Sequence, residues 1–249
     1  MIEHYKRFNL THLSSDTINK WIGDPCKAIM KFAGHGTDAS VFWRGNAVEA
    51  SVTNYFKLKQ QHIELNKQFD RSKTIHASEQ LALLVFEDRV DACKDQAILD
   101  TVPAERETLS AMLSNAPSLF ISLEDEVYET AQVEVRHRFD EIAVPFIGYA
   151  DIIFKDTVLE VKSSAYRKSK ADPAHCRQVS FYAHCLDKEP LIGYITKRDT
   201  SVFAVPDAEQ HLMHIEAACH SLQNALSKSE DIKELASMFY PDTSQWHWN

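Results

Sequence analysis

Two apolar runs, 146–154 and 158–161, are separated by only Lys155 and Asp156. Runs of that length around a charged pair read as a tight antiparallel hairpin, although neither turn position holds the Gly that the favoured two-residue turns prefer. In the simplest register Phe154 faces Thr157, Ile153 faces Val158 and Ile152 faces Leu159, which sets Asp151 opposite Glu160. Carboxylates directly opposite each other repel, and burying them is costly unless something neutralises them. This hairpin dictates a sheet at the centre of the fold and a charged pair that has to be explained.

The segments around it change period. Ser14-Ser15-Asp16 offers N-cap side chains to a helix containing Ile18, Trp21 and Ile22. Residues 41–59 repeat Phe42, Val48, Val52, Tyr55 and Phe56 at helical spacing, and an acidic helical block at about 77–115 has Leu81, Leu84, Val85 and Val90 as core positions. Pro103 starts a fresh helix. Val133 and Val135 alternate with charged neighbours in a half-buried strand over 132–139. Asp172-Pro173 opens a helix through Leu186, and 191–196 and 201–205 read as two more strands. Asp207 and Ser227 cap two closing helices, at about 207–240, with Gln210 and Glu230 three residues on. The tail, 241–249, carries Trp246 and Trp248 and has no assignment. Helices, a meander of strands interrupted by one helix, then helices again predict an α/β protein: a single domain over 1–249 with a central sheet flanked by helices and an added helical block.

The net charge of −9 argues against a nucleic-acid binder until its distribution is considered. Residues 1–77 hold eleven Lys/Arg against seven Asp/Glu, residues 78–141 five against fifteen, and residues 142–249 eleven against fourteen. The deficit sits in the middle, while 163–177 carries Arg167, Lys168, Lys170 and Arg177 against Asp172 alone. A local basic loop can hold a polyanion on an acidic protein; a solvated loop is the plain alternative. The five cysteines are odd in number and never spaced as CxxC, which argues against a disulfide framework and a zinc site. No apolar run reaches the 18 to 20 or so residues of a membrane span, and MIEHYKRFNL lacks a signal peptide's apolar core, so an intracellular protein is expected.

A divalent cation neutralises an opposed carboxylate pair directly, since hard cations take one or two carboxylates and complete their shell with water and phosphate. Lys162, two residues beyond Glu160, emerges on the same strand face. A metal beside a lysine on a dry strand edge suits phosphodiester hydrolysis. The alternative is a hairpin with a charged open face, since acid-x-Lys triplets are cheap; Asp231-Ile232-Lys233 is another. Two further features point the same way. Glu49 follows Arg44-Gly45 about one turn into the second helix, where a carboxylate also serves as a helix-dipole partner. Gln178 and Tyr182, four apart, share a helix face that also reads as a polar stripe.

In order, Gly45 to Glu49, Gly148-Tyr149-Ala150-Asp151, Glu160-Val161-Lys162 and Gln178 to Tyr182 resemble the PD-(D/E)XK nuclease superfamily, in its RecB and lambda-exonuclease branches. The resemblance covers roughly 14–200 and implies a restriction-endonuclease-like core. It implies Mg²⁺ or Mn²⁺ held by Asp151, Glu160 and the Val161 carbonyl, with Glu49, at a position that is His in many members, as an outer or second-metal carboxylate. It casts Lys162 as the residue that orients or activates the attacking water, leaving a 5′-phosphate and a 3′-hydroxyl. It assigns DNA contacts to Arg44, Gln178 and Tyr182, the last two alternatively bracing the site. Ser163 and the basic residues Arg167, Lys168, Lys170 and Arg177 would hold the DNA backbone without reading sequence. No iron–sulfur cluster is expected, because Cys176 and Cys185 fall around the Gln-x-x-x-Tyr segment and only Cys219 follows.

The function so implied is a metal-dependent DNA exonuclease acting on ends in recombination or repair. Its rivals are a structure-specific or restriction-type endonuclease on the same scaffold and a non-catalytic DNA-binding or protein-interaction module. The acidic block reads as a solvated face, with docking of a basic recombination or repair partner as its alternative. Polarity, strand preference, processivity and oligomeric state leave no mark in the sequence.

Overall fold

The computed structural model describes residues 2–32 and 39–239. Ten helices and five strands lie within them. Helices α1 (Ile2–Arg7), α2 (Ser15–Gly23), α3 (Pro25–Phe32), α4 (Ser40–Glu64), α5 (Arg71–Ala92), α6 (Gln96–Leu99) and α7 (Val102–Ser122) precede strands β1 (Tyr128–His137), β2 (Phe146–Phe154) and β3 (Thr157–Ser164). Helix α8 (Pro173–Leu186) leads to β4 (Glu189–Thr196) and β5 (Thr200–Ala204), and α9 (Ala208–Leu226) and α10 (Ile232–Ser237) follow.

The strands form one mixed sheet in the order β1-β2-β3-β4-β5. All neighbours are antiparallel except β3 and β4, which run parallel from Thr157 opposite Glu189 to Ser164 opposite Thr196. A parallel pair needs a crossover, and α8 supplies it. Helices cover both faces. One core joins Ile18, Trp21 and Ile29 of the early helices, Val179 and Phe181 of α8, and Cys219 and Leu222 of α9 against Phe146, Ile153 and Val158. The other joins Val52 and Phe56 of α4, Phe86 of α5 and Leu119 and Phe120 of α7 against Ile152, Phe154, Leu159 and Val161. The fold is thus α/β, a mixed five-stranded sheet flanked by helices with a helical block, as the meander predicts.

Local signals set several boundaries. Ser14 caps α2, its hydroxyl accepting from Thr17 N–H at 3.3 Å, and Asp172 caps α8 with Pro173 in the first turn. Lys155 and Asp156 form the hairpin turn without a positive φ at either position, so glycine is not required there.

Other expectations fail where distant contacts decide. On α5 the buried stripe is Thr74, Ser78, Ala82 and Phe86, and the expected core positions Leu81 and Leu84 are 36% and 62% exposed. The apolar residues of α5 run all round the helix. Its small residues win the α4 contact because they allow close approach, and Asn54 donates to Ser78 Oγ across it at 3.3 Å. On α4 Phe42 is 59% exposed and Trp43 takes the buried place. Ser227 ends α9 rather than opening a helix; α10 is capped by Asp231, whose Oδ1 accepts from Glu234 N–H at 3.2 Å. Asp207 precedes α9 in a left-handed conformation with no side-chain cap bond. Trp246 and Trp248 lie outside the described residues.

Candidate active site

The hairpin register holds at Ile152–Leu159 and Ile153–Val158, and the recorded ladder goes no further towards the acids. In its place Asp151 Oδ2 accepts the backbone N–H of Val161 at 2.8 Å. The N–H and C=O of one strand residue point to the same neighbouring strand, so the Val161 carbonyl opens on the edge where Asp151 lies. Asp151 is 7% and Glu160 1% exposed. The Lys162 ammonium pairs with Glu160 Oε1, and Glu160 is also engaged with Asp151. Two buried carboxyls served by a single ammonium are costly unless further neutralised.

Burial pushes the Asp151 carboxyl well above the usual range, reinforced by the charges of Glu160 and Glu49. Burial also raises Glu160, against the pull of Lys162. Glu49 is pushed up to about 7 by burial and then by Glu160. For Lys162 burial opposes the ammonium, but Glu160 and Asp151 outweigh it and keep it firmly charged. Three acids therefore converge on one ammonium, and their raised carboxyls mark desolvation and mutual repulsion that the lysine alone does not offset.

Helix α4 brings in Glu49. Because α4 starts at Ser40, Glu49 lies in mid-helix rather than in its first turn, and the helix-dipole alternative lapses. Its Oε1 accepts from Gln132 Nε2 on β1. Gly45 passes the end of β3, where a Cβ would lie 3.6 Å from Ser163 Oγ. Arg44 is 5% exposed and paired with Glu105 of α7; contact with a substrate requires that pair to part.

Helix α8 closes the other side. Gln178 Nε2 donates to the Tyr182 hydroxyl at 3.0 Å, and Tyr182 is 2% exposed. One turn earlier on this face stands His175, which the sequence reading missed although its spacing from Gln178 and Tyr182 marks it. Buried Tyr194 accepts from Asp172 N–H at 3.0 Å, and its hydroxyl lies 2.8 Å from His175 Nδ1, within hydrogen-bond distance. Burial, then Lys162, lowers the His175 pKa to about 4, so the ring is neutral beside the lysine.

The basic loop is partly engaged. Arg167 Nε lies 2.9 Å from Asp199 Oδ2, and Lys168 Nζ lies 3.9 Å from Asp172 and 6.0 Å from the Tyr194 ring centre. Arg177 Nε donates to Asn19 Oδ1 at 2.8 Å, while Lys170 is exposed. A cavity of about 560 Å³, lined by Lys155, Ser180, His184 and Lys188 among others, lies at the hairpin turn and includes none of the acids.

Among the described residues no group of three or more His, Cys, Asp or Glu is arranged to hold a metal ion. The donor set is the Asp151–Glu160 pair, the Val161 carbonyl and the more distant Glu49. That set fits a hard divalent cation that keeps much of its water. No described helix is long and apolar enough to cross a membrane.

No family model matches the chain, and no curated protein does. Among solved structures, it is similar to a Eubacterium rectale protein described as a "putative exonuclease", at 13% identity over 96% of this chain and 86% of that one, with a TM-score of 0.49. It is also similar to a structure described as SSO0001, at 16% identity over 70% and 74% of the two chains, with a TM-score of 0.34.

Proposed function

We propose that this chain is a divalent-metal-dependent deoxyribonuclease of the PD-(D/E)XK type, acting as an exonuclease on DNA ends in recombination or repair. One observation carries the reading: Asp151 and Glu160 are buried together on adjacent strands, with the Lys162 ammonium paired to Glu160. The crowded carboxyls and oxygen donors suit Mg²⁺ or Mn²⁺ at Asp151, Glu160 and the Val161 carbonyl, with Glu49 alongside. A bound cation would supply Lewis acidity and charge neutralisation towards a phosphodiester.

The chain's own residues do the rest. Lys162, kept charged by its acids, hydrogen-bonds the attacking water or a phosphate oxygen and offsets negative charge in the transition state. Tyr182 and Gln178 brace the β2 side of the site. His175 offers a neutral imidazole next to Lys162. Lys170, Arg167 and Lys168 hold the phosphate backbone, the last two by exchanging Asp199 and Asp172 for phosphate.

The test is incubation of the full chain with 5′-phosphorylated linear duplex, single strand, nicked circle and covalently closed circle, in Mg²⁺, Mn²⁺ or EDTA. Metal-dependent loss of linear DNA, with closed circles intact, is expected; cutting of closed circles turns the reading to an endonuclease. Glu160→Ala and Lys162→Ala abolish activity with the fold retained, and cleavage persisting in both overturns the assignment.

A further inference from the structure

Gln132 has a φ of 54° in the middle of β1. The other described non-glycine residues with positive φ, such as Asn66 after α4 and Asp187 after α8, lie at helix ends or in loops. Left-handed backbone is unfavourable for a residue with a Cβ and persists only where its surroundings impose it. The position is informative. Ala131 pairs with Ile152 and Val133 with Ala150, so Gln132 falls opposite Asp151, at a rung missing from the ladder between those two. The partner strand is irregular there too, since Ala150 and Ile153 enter one core while Ile152 and Phe154 enter the other. The exposed Gln132 side chain reaches across to donate its amide to Glu49 Oε1 on α4.

We propose that Gln132 is a positioning residue: a backbone distortion at the rung facing Asp151 aims its amide at Glu49 and fixes that carboxylate, one oxygen still free, beside the acid pair. The inference rests on the nuclease reading for its chemistry, but the geometry stands without it. A local distortion re-aims one side chain without altering the rest of the strand, and a hydrogen bond from an outer residue fixes the orientation of a ligating carboxylate.

Two variants of the full chain test it. Gln132→Gly removes the amide and suits left-handed backbone; Gln132→Asn also tolerates it but ends one methylene short of Glu49. For both, Mn²⁺ affinity measured by electron paramagnetic resonance titration is expected to fall about tenfold or more. On linear duplex kcat falls by about the same factor while KM stays within about twofold. Melting temperature stays no more than about 2 °C below wild type, and in a Glu49→Gln background neither variant lowers Mn²⁺ affinity further. Unchanged affinity, an equal loss in the Glu49→Gln background, or a larger drop in melting temperature overturns the proposal. A wild-type chain that binds Mn²⁺ but cuts no DNA refutes the nuclease reading, and the titrations still decide the role of Gln132. A wild-type chain that binds no Mn²⁺ overturns both.

Discussion

Gly148 and Tyr182 compete for one space: a Cβ at 148 would stand 2.5 Å from Cε1 of the Tyr182 ring and 3.0 Å from its hydroxyl. The bare backbone of β2 lets α8 seat a buried tyrosine against the strand that carries Asp151. Gly148→Ala is expected to displace the ring and lower stability by about 1–3 kcal/mol, read from chemical denaturation. Tyr182→Ala makes room, so the double variant loses less than the two single losses summed. Strict additivity of the two would show that they do not share this space.

The cation binding proposed for the acid pair would link stability to metal. Wild-type melting temperature rises when Mn²⁺ is added and returns on adding EDTA, with a gain of about 2.7 kcal/mol at a hundredfold excess over the dissociation constant. Glu160→Gln and Asp151→Asn should abolish that rise. A rise of the same size in both variants would put the cation elsewhere.

Glu49 predicts a pH signature. Its folded pKa, about 7, lies above the ordinary carboxylate value of 4.5, so between these values the native state holds a proton that the unfolded state releases. The contribution of Glu49 to stability therefore declines as pH rises through that window. His175, depressed to about 4, runs the opposite way below its ordinary 6.5, so the clean measure is a difference. The melting-temperature advantage of Glu49→Gln over wild type, without metal, grows from about pH 4.5 to 7 and then levels off. A difference flat across that range would contradict the raised pKa.

Arg44 and Glu105 tie α4 to α7. Glu105→Ala leaves a buried guanidinium whose Nε has no partner among the described residues, and a loss of about 3 kcal/mol is expected, as for a broken buried pair. Replacing both residues by leucine should recover much of it. A loss below about 1 kcal/mol from Glu105→Ala would mean that Arg44 readily finds water or another acceptor.

Much of the strand region was legible because its signals are local. The span 146–154, the Lys155-Asp156 turn and the 173–186 helix behind Asp172-Pro173 fall where read, since turn length, capping and period act over a few residues. The acids, the lysine and the Gln178–Tyr182 bond follow from spacing on a strand or a helix. The start of α4 was read within one residue of Ser40, but Glu49 was placed about one turn in although it lies about two and a half turns along the helix.

Sequence alone determined the hairpin that carries Asp151 and Glu160, the capped helix behind it and the alternation of helical and extended segments, because each is settled by neighbours along the chain. Tertiary structure decided which stripe of α5 is buried, that Arg44 is matched by Glu105 and His175 by Tyr194, and that β1 distorts at Gln132. Those outcomes join residues from 19 to 83 positions apart, and which partners meet is selected by packing of the whole molecule, not by the preference of any one segment.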